Sequence, residues 1–79
     1  MITSDQIRAA RAILKWSGKL LSEKSGVGFS TLMRLESEPL VPNAHVRTLE
    51  SIKKAFEVAG VEFIGTPEKG AGVRWKFDE

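Results

Sequence analysis

The chain has 79 residues, with twelve Lys/Arg, ten Asp/Glu, a formal net charge of +2 and no cysteine. A chain this short buries only about 60% of its unfolded surface, so one small core is expected and association offers extra stability. Disulfides, a thiol nucleophile and cysteine zinc sites are excluded, no apolar run nears the roughly 18 residues of a membrane span, and the first segment lacks a secretory h-region, so the expectation is a soluble, cytoplasmic protein.

Thr3-Ser4-Asp5-Gln6 fits a capping box ahead of Ile7, Ala10 and Leu14, which predicts a first helix from Ser4 to about Trp16. Ser17 then caps a short second helix that carries Leu21 inward and ends near Lys24 or Ser25. Gly26 suits the left-handed end of that helix, Val27 plugs the corner, and Gly28 caps a third helix over 29–36. "SEPLVPN" is a loop, and Asn43 is expected to cap a fourth helix bearing Val46, Leu49, Ile52, Phe56 and Ala59, which Gly60 stops. The period then changes to two: Val61 and Phe63, then Val73, Trp75 and Phe77, alternate with polar residues around "GTPEKGAG", a β-hairpin signal.

"SGKLLSEKSGVGFSTLMRLE" resembles the helix-turn-helix of the Cro/repressor-like (XRE) transcriptional regulators, with Leu21 on the second helix, Gly26 at the turn, Val27 after it, and Leu32 and Leu35 on the third helix. The resemblance spans roughly Ile7 to Ala59. It implies a mainly α fold, a four-helix Cro/repressor-like domain over 1–60 followed by a C-terminal β-hairpin over 61–79. It also implies an Arg11–Glu36 pair tying the first helix to the third, and a third helix whose N-terminal residues enter the major groove. The chain departs from the family at Gly18, where many members carry a phosphate-contacting glutamine, and at Leu20, which replaces a usual acidic residue.

At about 100° per residue, Leu32 and Leu35 share the inner side of the third helix, Ser30, Met33 and Arg34 face away from it, and Phe29 and Thr31 lie at the flanks. Ser30, Met33, Arg34 and Phe29 are therefore the candidate base contacts. Arg34 suits guanine or phosphate, whereas Met33 offers no hydrogen bond and suits a thymine methyl or an apolar protein surface. Phe29 reads more readily as packing against the second helix than as a groove contact. Lys19, Asn43, His45 and Arg47 stand where the resemblance implies a grip on the phosphate backbone, and with Thr31 they are the candidate phosphate contacts. The charge distribution agrees: Met1 to Phe56 holds nine Lys/Arg against five acids, and Glu57 to Glu79 three against five.

A lone hairpin is marginal in water, so its apolar face needs cover from the fourth helix or from a second chain. The second option makes Phe63, Val73, Trp75 and Phe77 a homodimer interface, which would space two reading helices by about 34 Å along duplex DNA. The sequence thus predicts a double-stranded-DNA-binding transcriptional regulator, a repressor or autoregulator, acting as a homodimer. The alternative is a protein-interaction module on the same fold, as in an antitoxin or an inhibitor of an activator, motivated by Gly18 and Leu20. No paired acids, activated nucleophile, phosphate loop or metal spacing suggests an enzyme, a cofactor or a metal site.

Overall fold

A reciprocal cap opens the first helix: the Gln6 amide donates to Thr3 Oγ1 at 3.0 Å, and the Thr3 amide donates to Gln6 Oε1 at 2.8 Å. The computed structural model describes residues 1–76, which form four helices and a two-stranded antiparallel hairpin. The helices are α1 (Ser4–Leu14), α2 (Gly18–Ser25), α3 (Phe29–Ser37) and α4 (Val46–Val58), and the strands are β1 (Val61–Ile64) and β2 (Gly72–Trp75).

Two boundaries differ from the sequence expectation. α1 ends at Leu14 rather than near Trp16, because Lys15 turns left-handed (φ 57°) and the Trp16 amide donates back to the Arg11 carbonyl at 2.9 Å. That reversal brings Trp16 over Phe56, ring centroids 5.5 Å apart. α4 is capped by His45 rather than Asn43, and His45 gives it no side-chain hydrogen bond. The Asn43 backbone is engaged elsewhere, its amide by Glu38 and its carbonyl by Arg34.

The apolar stripes of all four helices meet in one core. Ile7 and Ala10 of α1, Leu21 of α2, Leu32 and Leu35 of α3, and Leu49, Ile52 and Phe56 of α4 are buried together. α2 packs on α3 and α4, while α1 packs on α3. The hairpin closes the remaining side, β1 against α4 and β2 against α1. Its register pairs Val61 with Trp75 and Phe63 with Val73, so these four share a face. Val61 is fully buried, Phe63 and Val73 pack on the core, and the Phe63 ring lies 5.8 Å from that of Phe56. Gln6 fastens the arrangement, its side-chain Nε2 donating to the carbonyls of Ile64 (3.1 Å) and Gly72 (2.9 Å), one on each strand. The cap of the first helix is thereby also a clasp on the hairpin.

Candidate nucleic-acid interface

The corner between α2 and α3 is built from small residues and local hydrogen bonds. Ser17 Oγ accepts from the Leu20 amide at 3.0 Å and starts α2, and Gly26 ends it in the left-handed region at φ 75°. Ser22 Oγ donates to the Val27 carbonyl at 2.6 Å, and Ser25 Oγ accepts from the Val27 amide at 3.2 Å. Val27 is thus held from both its polar backbone ends while its side chain packs on the core. Leu21 and Leu32, both fully buried, fill the angle behind it.

α3 is fixed at its far end by charge. Glu36, 6% exposed, receives a two-pronged contact from Arg11, whose Nε and Nη2 each lie 2.7 Å from a carboxylate oxygen. Arg11 also donates to the Trp16 carbonyl at 3.0 Å, and Arg8 donates to the Glu36 carbonyl. The hydrogen bond with Glu36 raises the Arg11 pKa further above its ordinary value, against the opposing pull of burial. The fork geometry makes this a strong pair, and it locks the axis of α3 to α1.

The outward side of α3 divides its candidate base-contact residues into two kinds. Ser30 is exposed, and Phe29 is 47% exposed. Met33, expected to face away, is half-buried and packs against the core. A flexible thioether chain bends where the helical phase alone points it outward. Phe29 and Met33 lean over Gly18, so that a Cβ placed on Gly18 would lie 2.6 Å from Met33 Cε and 3.1 Å from Phe29 Cε1. Lys19 is exposed beside that contact, in the first turn of α2.

Arg34 is exposed but engaged. Its guanidinium lies 2.7 Å from Glu38 Oε2 and 3.3 Å from the Asn43 carbonyl, while the other Glu38 oxygen accepts the Asn43 amide at 2.7 Å. The Asn43 amide, reinforced by Arg34, holds the Glu38 carboxyl below the usual carboxylate range. Glu38 was not among the sequence candidates, although its position four residues after Arg34 is a helical pairing distance.

Four of the sequence candidates meet in one open cleft, lined by Thr31, Arg34, Asn43 and His45 together with Ala44 and Thr48. Thr31 belongs to the first turn of α3, and Thr48 to the first turn of α4. Neither helix has a side-chain cap, so the cleft sits at two helix N-termini whose leading amides lack a capping oxygen. Arg47 is exposed on the same first turn of α4 but is not part of the cleft lining. Comparison with protein families, curated proteins and solved structures finds no match to this chain.

The hairpin residues proposed for a dimer interface are placed unevenly. Phe63 and Val73 face the core of their own chain, which supplies cover from within. Trp75 is 47% exposed, its ring lying against Gly60, and Phe77 falls outside the described residues. No helix among the described residues is long and apolar enough to cross a membrane. Among those residues, no group of three His, Cys, Asp or Glu is placed to hold a metal ion.

Proposed function

We propose that this chain is a double-stranded-DNA-binding transcriptional regulator of the Cro/repressor-like kind, a repressor or autoregulator that presents α3 to the major groove. The observation that carries the reading is the meeting of two uncapped helix N-termini, from α3 and α4, on the cleft of Thr31, Asn43, His45 and Thr48. Leading amides and hydroxyls of that kind suit a phosphate oxygen, and the helix dipoles favour its charge. Lys19 and Arg47 add exposed positive charge in the first turns of α2 and α4, and the first turns of α2, α3 and α4 contain no acidic residue. In this reading the phosphates set the register of the protein, and the outer side of α3 meets base edges between them.

A salt titration of duplex binding tests it. The logarithm of affinity should fall linearly with that of salt, by about 0.9 for each phosphate neutralised. Absence of duplex binding at low salt rejects the proposal. We further propose that the regulator works as a homodimer through its hairpin, with Trp75 as the exposed apolar contact. Trp75→Ala should then sediment as a monomer, and an unchanged dimer removes Trp75 from the interface.

A protein-binding role is the second reading, favoured by a different surface. Met1, Leu40 and Val46 are exposed apolar side chains beside two shallow clefts that share Met1. Leu40 is 70% exposed and held in the left-handed region at φ 56°. A stoichiometric protein retained through purification, and released by Leu40→Asp, would mark that role; no such retention argues against it.

A further inference from the structure

We propose that Phe29 and Met33 form one apolar reading head that recognises the C5-methyl groups of thymine, and that Gly18 is the seat that positions it. The inference rests on the DNA-binding reading above and names what the same helix selects. Phe29 and Met33 lie four residues apart on α3, and both side-chain ends converge on the single point that a Cβ of residue 18 would occupy. Their ends are therefore neighbours, with the Phe29 ring the more exposed and Met33 half-buried beside it. Phe29 is nearly half exposed there, at the N-terminal turn of the helix.

The chemistry of that surface narrows its target. Phenyl and thioether groups make at best weak hydrogen bonds, so the matching base edge must itself be apolar. Among base edges in the major groove, the thymine C5-methyl is the apolar group. The setting favours a polyanion around it: Lys19 is adjacent to Gly18, Ser30 follows Phe29, and neither α2 nor α3 has an acidic residue in its first turn. Arg34, the polar rival for base recognition, has its Nη1 held by Glu38 and the Asn43 carbonyl, so that donor must leave both to reach a guanine. The head needs no such exchange.

Gly18 has a defined part in this. Any side chain there meets the end of Met33 at 2.6 Å, and because that end is flexible, the fold accommodates the change by moving Met33. Gly18→Ala should therefore keep the fold and shift the head. Residue 18 is a positioning residue that acts through Met33.

The test uses the tightest duplex recovered from a random pool and replaces its thymines one at a time with deoxyuridine, which removes only the methyl group. Wild-type protein should lose about fourfold in affinity at each methyl the head reads, from about 0.8 kcal/mol per buried CH₂-sized group. Phe29→Ala and Met33→Ala should bind the thymine and uracil duplexes equally, Met33→Leu should keep the difference, and Gly18→Ala should shrink it. Thermal melts by circular dichroism confirm that each variant is folded. Equal wild-type affinity for thymine and uracil duplexes overturns the inference while leaving DNA binding intact, and so does a uracil effect that survives both alanine variants. Failure to bind any duplex at low salt overturns the DNA reading together with it.

Discussion

The two halves of α3 are built to different rules. Its C-terminal half is saturated: Glu36 is gripped by Arg11, Arg8 reaches the Glu36 carbonyl, and Arg34 joins Glu38 and Asn43. Its N-terminal half carries Gly28 as an uncapped start, an exposed Ser30, and Phe29, which with Met33 leans over Gly18. One end supplies position and the other supplies unsatisfied surface. A helix that must present itself to another molecule needs both, because free side chains on a loose axis would lose their geometry.

The sharpest way to break this contrast is at the anchored end. Glu36→Ala removes the carboxylate partner of the partly buried Arg11 guanidinium and should cost about 2 kcal/mol, read from the urea midpoint. A loss below about 1 kcal/mol would mean that the pair does not anchor α3. A smaller effect is expected at the open end, where Phe29→Ala removes a half-exposed ring and should change stability by less than about 1 kcal/mol. A large loss there would move Phe29 from the presented surface to the supporting structure.

The smallest effect concerns the loop after α3. The folded state holds the Glu38 carboxyl below its ordinary value, so the stabilisation from its bond to Asn43 is fully present above the ordinary glutamate value of about 4.3. The stabilisation it contributes disappears as pH falls through that lower folded value. The Asn43 amide resonance should shift in an acid titration with a midpoint below the ordinary carboxylate value, and Glu38→Gln should abolish that shift. A midpoint at the ordinary carboxylate value would show that Glu38 does not hold the loop in solution.

Much of the helical frame was legible because its signals are local. Thr3-Gln6, Ser17, Gly26 and Gly28 announce caps within three or four residues, and each stands at the helix end its chemistry favours. Leu21, Leu32 and Leu35 follow from periodicity alone. The misplaced features depend on partners distant in sequence or on side-chain bending. Asn43 has a capping side chain, yet its backbone is taken by Arg34 and Glu38, which leaves His45 to begin α4. Met33 sits at an outward helical phase, and its folded-back chain depends on an empty position at Gly18 in another helix. Thr31, Arg34, Asn43 and His45 could each be named as candidates from the sequence, but their sharing of one cleft required the third dimension.

Ser4 carries a practical consequence. Its amide donates to the Leu40 carbonyl at 2.9 Å, and its hydroxyl reaches the carbonyls of Glu38 (2.5 Å) and Leu40 (3.2 Å). First-turn amides of a helix ordinarily have no helical acceptor and exchange their protons with water readily. Here one such proton is shielded only while the segment between α3 and α4 lies against the start of α1. Deuterium uptake at Ser4 is therefore a single-site gauge of whether that segment stays docked, available without ligands or substitutions, and sensitive to any partner that pulls it away.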